Sequence, residues 1–286
     1  MVLAGASSIL GRGMIEKAAH IPVYWSLWLF AFLPCALLTI LFTWRLILRL
    51  YPLRLYPPEK VSPERALAFL QDELRKMGAL SPLKKKTLVL MLLAVALWMT
   101  DLIHHIPPAV IGISAGLIAA LPGVGILDQQ DLKRVDYQPV LLVAAAIGMS
   151  DVLMETKALF AVTAVMFGWM APLITNPDAL AVIPYWTAFA YHLFLGNEIS
   201  MLAASLPALL QFASSHGLSP LQLGLIWSFA AGGKIFVYQS GVMVMGYSYG
   251  YFEARDLFRV GLLLTILESL LLAVLVPFYW PLIGIR

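Results

Sequence analysis

Apolar residues run in long blocks punctuated by short polar turns, a pattern that predicts membrane-spanning helices. The first clear span runs from about Val23 to Leu48. It is aromatic at its start (Tyr24, Trp25, Trp28) and leaves on Arg45, Arg49 and Arg54, the pattern of an interfacial belt and a charged exit. Ser81-Pro82 opens a second span, Leu83 to Ile106, and the Pro107-Pro108 turn feeds a third, Ala109 to Leu127, before the polar run Asp128 to Arg134. An apolar run from Pro139 to Met149 ends in Ser150-Asp151, and a segment from Leu153 to Ile174 carries Glu155 and Lys157 near its start. Ser219-Pro220 caps a long span from Leu221 to Tyr247, interrupted at Gly232-Gly233-Lys234 and at Tyr238-Gln239-Ser240-Gly241. The last span, Val260 to Ile283, follows a loop with Glu253, Arg255, Asp256 and Arg259, and holds Glu268 with no partner legible from its neighbours.

Two stretches depart from simple spans. Residues 1–21 are rich in glycine and serine (Gly5-Ala6-Ser7-Ser8-Ile9-Leu10-Gly11) and are not expected to cross a bilayer as a helix. From Tyr191 to Pro207, Gly196, Asn197, Glu198 and Ser200 fall between two apolar runs, each too short to cross alone. A helix broken at that depth leaves backbone N–H and C=O groups that hydrocarbon tolerates only against protein, water or a bound solute. The stretch therefore predicts a hairpin whose tip is a solute site. A cap on a kinked helix explains Asn197 as well, and Glu198 is open to pairing with Lys234, to binding a cation or to taking up a proton.

Between Arg45 and Lys86 lie ten of the nineteen Lys and Arg residues, so this loop is predicted to be cytoplasmic. Inside it, Ser62-Pro63-Glu64 opens a helix with Ala66, Phe69, Leu70, Leu74 and Met77 on one face; Asp72, Glu73, Arg75 and Lys76 lie elsewhere, and Gly78 stops it. Such a helix is expected to lie on the membrane surface or to brace the bundle.

Composition sharpens the class. A chain of 286 residues with 61% hydrophobic and 12% charged residues has too little interior to hide that much apolar side chain as a soluble globule. Its mean hydropathy of +0.85 agrees. The net charge of +3 sits in loops rather than on one face, so no nucleic-acid partner is expected. The lone Cys35 gives neither an intrachain disulfide nor a thiolate cluster. Catalytic signatures such as Gly-x-Ser-x-Gly or His-Glu-x-x-His are not found, and Gly232-Gly233-Lys234 does not complete a phosphate-binding loop, so an enzyme and a resident cofactor are not expected. The first twenty residues lack the charged start and apolar core of a cleavable signal.

Residues 236–284 echo residues 1–50: a break with glycine and hydroxyl residues, a polar turn, then a Leu-rich span. Further cues are Tyr51-Pro52 with Tyr56-Pro57-Pro58-Glu59, Ser62-Pro63-Glu64, Met77-Gly78-Ala79-Leu80-Ser81, Gly250-Tyr251-Phe252 and Asp256-Leu257-Phe258-Arg259-Val260-Gly261. On these the chain resembles the latter part of the divalent anion–sodium symporters, carriers of dicarboxylates, citrate or sulfate. The resemblance implies an all-α polytopic membrane protein with a re-entrant hairpin and broken transmembrane helices, an inverted-repeat transporter fold lacking most of its first repeat. Its expected parts are a remnant of a broken helix (1–21), a transmembrane helix (22–50), a cytoplasmic amphipathic linker (51–86), scaffold helices (87–175) and the hairpin with transport-type helices (176–286).

Carried over residue by residue, the family's Ser-Asn-Thr tip falls on Gly196-Asn197-Glu198, where Asn197 alone matches and Ser200 stands in for the lost hydroxyl. The later break falls on Gln239, Ser240 and Gly241, and Ser7-Ser8 stands where the first break would be. The implied function is secondary transport of small divalent anions coupled to sodium or protons, by a homodimer in the cell inner membrane. No cofactor is expected beyond sodium as a candidate coupling ion. The alternative is a truncated or degenerate half-transporter acting as a membrane partner.

Overall fold

The computed structural model describes residues 6–51, 63–78, 81–124, 126–134, 141, 144–145, 148–149, 152–153, 155–174 and 176–285. The expected cap at Ser62, the linker motif Tyr56 to Glu59 and most of the run from Pro139 to Asp151 lie outside them. Among the described residues every regular element is a helix.

Contacts divide the chain into two units. The smaller comprises Tyr24–Ser26 and Trp44–Val135. In it α3 (Pro63–Met77) has Leu67, Phe69, Leu70 and Leu74 exposed, while Lys76 pairs with Glu73 at 2.8 Å and Asp72 at 2.9 Å. Those two carboxylates, Glu73 first, hold the Lys76 ammonium above the usual lysine range. Helix α4 (Pro82–Met99) starts on a Ser81 side chain that accepts from the Lys84 N–H, with Pro82 in its first turn. It is followed by a single turn, α5 (Asp101–His104), and packs against α6 (Pro108–Ala120). The polar turn after it contains a short helix, α7 (Gln129–Lys133), closed by a reciprocal capping box between Asp128 and Asp131. Asp101 is fully buried. It accepts hydrogen bonds from the Trp25 and Ser26 amides and from the Ser26 hydroxyl, so one carboxylate serves the orphan donors at the start of α2 (Trp25–Leu50).

The larger unit is Met1–Val23, Leu27–Thr43 and Asp136–Arg286. It holds α1 (Ala6–Ala19), α8 (Ala158–Phe167), α9 (Pro177–Phe194), α10 (Glu198–Ser215), α11 (Pro220–Ala230), α12 (Gly241–Ser248) and α13 (Ala254–Val274). The glycine- and serine-rich opening is thus helical from residue 6, but 14 residues reach only about 21 Å, short of a hydrocarbon core of about 30 Å. Leu10, Met14 and Ile15 bury its inner face against α10 and α11. The fit is close: a Cβ on Gly224 of α11 would come within 2.5 Å of Ile15. Phe32, Phe167, Tyr185, Phe212, Trp227 and Trp280 are the large side chains of the core. The Trp227 indole N–H donates to Ser205 Oγ at 2.9 Å, which satisfies its one polar atom.

Among the described residues two helices are long and apolar enough to cross a membrane: Trp25–Leu50 and Ala254–Ile283, the latter continued from α13 by a π turn and a 3₁₀ turn. Shorter apolar helices are Pro108–Ala120, Ala158–Leu173, Ala179–Phe194 and Pro220–Ala230. The segment expected from Leu153 to Ile174 breaks at Lys157, which has φ 57°, and the span expected from Leu221 to Tyr247 ends as a helix at Ala230.

Candidate functional site

Two interruptions in helices meet in the larger unit. The first joins α9 to α10 through Leu195-Gly196-Asn197. Gly196 has φ +76°, a left-handed conformation that a Cβ makes costly. Asn197 then caps α10: its side-chain oxygen accepts from the Ile199 N–H at 3.1 Å and the Ser200 N–H at 3.0 Å. Glu198 is the first residue of α10, where the helix dipole favours a negative charge.

The second interruption runs from Ala231 to Ser240, between α11 and α12. Its freed amides are met from within. Gln239 is fully buried, and its Oε1 accepts from the Ile235 and Phe236 amides at 2.8 Å each. Gly232 and Gly233 donate back to Phe229 and Ala230 carbonyls. Helix α13 comes so near that a Cβ on Gly261 would overlap the Lys234 carbonyl.

Lys234 ties the two interruptions together. Its Nζ donates to Glu198 Oε2 at 2.8 Å, to the Ala231 carbonyl at 3.2 Å and to the Gly232 carbonyl at 3.3 Å, using all three of its N–H bonds. A second link is the Tyr238 hydroxyl donating to the Leu193 carbonyl at 2.6 Å. His192, in the last turn of α9, is fully buried with neither ring nitrogen hydrogen-bonded.

Two cavities border this junction. The larger, about 650 Å³, is lined by Ser7, Glu198, Lys234, Ser240, Thr265 and Glu268 among others. The smaller, about 180 Å³, is lined by Ser7, Ser8, Thr39, Glu198, Ser228 and Glu268 with apolar neighbours. Of the sequence candidates, Ser7, Ser8 and Glu198 line the smaller cavity and Ser7, Glu198 and Ser240 the larger. Gly196, Asn197, Ser200, Gln239 and Gly241 line neither cavity. The side-chain oxygens of Asn197 and Gln239 are committed to holding the two interruptions in shape. Ser228 gave no sequence signal, and Gly261 entered only as the end of the motif Asp256 to Gly261; the role of each becomes visible through what it faces.

The chain matches the sodium:sulfate symporter transmembrane region across residues 1–286. It belongs to that family. Among curated relatives, the citrate/succinate antiporter of Escherichia coli is 24% identical over 99% of this chain and 56% of its own length. The chloroplastic dicarboxylate transporter 2 of Spinacia oleracea is 24% identical over 99% of this chain and 50% of its own. The L-tartrate/succinate antiporter of Escherichia coli is 22% identical over 98% and 56%. The chain spans about half the length of the curated relatives it matches. The family is one of membrane transport proteins.

Proposed function

We propose that this chain carries out secondary transport of small divalent anions, di- or tricarboxylates or sulfate, coupled to sodium or protons. In this reading α9 and α10 form a re-entrant hairpin, α11 and α12 a broken transmembrane helix, and the whole is one arm of an inverted-repeat fold working as a homodimer in the cell inner membrane. One observation carries it: the two interruptions are joined by the Lys234–Glu198 pair beside a cavity of about 650 Å³, a size suited to a small solute. Lys234, once Glu198 releases it, supplies the positive charge an anion needs, and the N-terminus of α10 adds a partial one.

The test is uptake of labelled succinate, citrate and sulfate into proteoliposomes under an inward sodium or proton gradient. Gradient-dependent uptake of at least one anion, lost in Asn197→Ala, is the expected result. Absence of uptake with all three anions under both gradients refutes the reading.

A further inference from the structure

His192 lies at the junction of the two interruptions, fully buried, and anion binding as described above makes no use of it. Neither of its ring nitrogens has a hydrogen-bond partner among the described residues. The Gln239 Nε2 beyond it is equally buried and equally without one. A neutral imidazole carries one N–H and one lone pair, so the ring forgoes two hydrogen bonds at once. Such an orphan in a packed interior asks for a function.

Its surroundings say which. Phe189, one turn earlier on the same face of α9, abuts Gly233, where a Cβ would stand 3.3 Å from the phenyl ring. His192 thus faces the second interruption, and the Gly233 and Gln239 carbonyls stand by the imidazole without closing a hydrogen bond. Two charges act on it, the Lys234 ammonium and the Glu198 carboxylate, and these are paired with each other. Of the other elements packed on α9, α11 and the 3₁₀ turn Gly168–Leu173 carry no titratable residue. From α13, Glu268 reaches α9 at Tyr185, two turns before His192. The π turn brings Tyr279, which donates to the Phe30 carbonyl, and Tyr238 donates to the Leu193 carbonyl.

While Lys234 holds Glu198, its ammonium opposes a second cation beside it. When Lys234 turns to another anion, Glu198 loses its counter-charge, and an imidazolium at His192 replaces it. The second N–H gained with the proton has two carbonyls to choose from, Gly233 and Gln239. Water reaches the ring along the larger cavity, whose wall includes Glu198 and Gly233.

We propose that His192 is the proton site of this junction: neutral while Lys234 holds Glu198, it binds one proton when the lysine lets go and becomes the new partner of Glu198. His192 lines neither cavity and acts through Glu198, as a positioning residue. The exchange of partners is a property of the junction alone; its link to anion entry rests on the transport reading above. Under that link an anion raises proton affinity by the factor by which a proton raises anion affinity.

The experiment is nitrogen-15 NMR of histidine-labelled protein in lipid nanodiscs at neutral pH, without any organic anion. The chain has five histidines, and His192→Gln identifies the His192 signals by their loss. In the unaltered protein they are expected to be those of a neutral ring. In Lys234→Met, which leaves Glu198 without its lysine, the neutral signals are expected to be lost and both nitrogens to carry protons. Adding Glu198→Gln to Lys234→Met is expected to return the ring to neutral, which a merely structural role would not do. Lys234→Gln serves in the same way if Lys234→Met does not fold. A second arm titrates succinate, citrate and sulfate by calorimetry in buffers of different ionisation heat. One proton taken up per anion bound, and none in His192→Gln, is the expected result.

A ring already doubly protonated in the unaltered protein, or neutral in Lys234→Met and Lys234→Gln, overturns the proposal. So does an imidazolium that persists once Glu198→Gln is added. Anion binding without proton uptake overturns the link to anion entry. Gradient-driven anion uptake with a ring that is neutral throughout refutes this proposal and leaves the transport reading standing. Ring protonation in Lys234→Met, in a protein that binds none of the three anions, upholds the exchange of partners and refutes the transport reading alone.

Discussion

Removing either partner of the Lys234–Glu198 pair is predicted to destabilise the protein, and unequally. The charged groups are 2.8 Å apart, yet the Lys234 side chain keeps 5% of its surface exposed and Glu198 keeps 23%. In Glu198→Gln the ammonium stays buried with the Ala231 and Gly232 carbonyls as its remaining strong acceptors. Stripping the partner from a buried charge costs about 3–5 kcal/mol. In Lys234→Met the carboxylate left behind keeps some water and the dipole of α10, the latter worth about 0.3–1 kcal/mol. We therefore expect about 4 kcal/mol for Glu198→Gln and about 2 kcal/mol for Lys234→Met. At about 2–4 °C per kcal/mol for a chain of this size, the melting temperature falls by about 8–16 °C in the first and about 4–8 °C in the second. The double variant holds no unpaired charge and is expected to recover most of the loss. Melting followed by fluorescence of the eight tryptophans reads all three variants. Equal losses in the two single variants, or a double variant as unstable as their sum, would refute the reasoning.

Other positions test other parts of the fold. Asp101→Ala leaves the start of α2 without the acceptor for the Trp25 and Ser26 amides and is expected to cost about 2–3 kcal/mol in a melting experiment. Gly261→Ala drives a methyl group into the Lys234 carbonyl, with an expected loss of about 1–3 kcal/mol and reduced anion uptake as the second interruption shifts. Gly196→Ala forces a Cβ into φ +76° and is expected to cost about 1–2 kcal/mol; Gly196→Asn, which tolerates that region, should lower the melting temperature less.

Much of the helical layout was legible because it is local. Ser81-Pro82 and Ser219-Pro220 mark helix starts through a side-chain cap and a preset φ, and both stand where the sequence predicts. Asp128 to Arg134 reads as a polar turn, but a capping box satisfies its orphan amides and makes a short helix of it. The break at Lys157 depends on a left-handed residue that composition does not announce. Around the candidate site the limit is distance along the chain. Glu198 and Lys234 are 36 positions apart, and the sequence left their pairing open; the contact between them is a product of tertiary packing. Ser228 is one hydroxyl in an apolar helix, and only tertiary packing brings Ser7, Thr39 and Glu268 to the same space.

Charge at the junction bears on the transport reading. Around the larger cavity stand one lysine and two glutamates, Lys234 against Glu198 and Glu268, and Lys234 already spends its three N–H bonds on Glu198 and two carbonyls. A dianion entering that space meets a net negative wall, so its binding is unfavourable unless positive charge arrives with it or Glu198 yields the lysine. Under the transport reading either route makes anion binding conditional on a cation: a coupling ion that enters with the anion, or a proton on Glu198. If the tip corresponds to the Ser-Asn-Thr of the resemblance, Glu198 in place of a hydroxyl therefore does more than remove a ligand. Under the transport reading it places a competitor for the anion on Lys234, the one cationic side chain lining the larger cavity, and makes a coupled cation a requirement for binding.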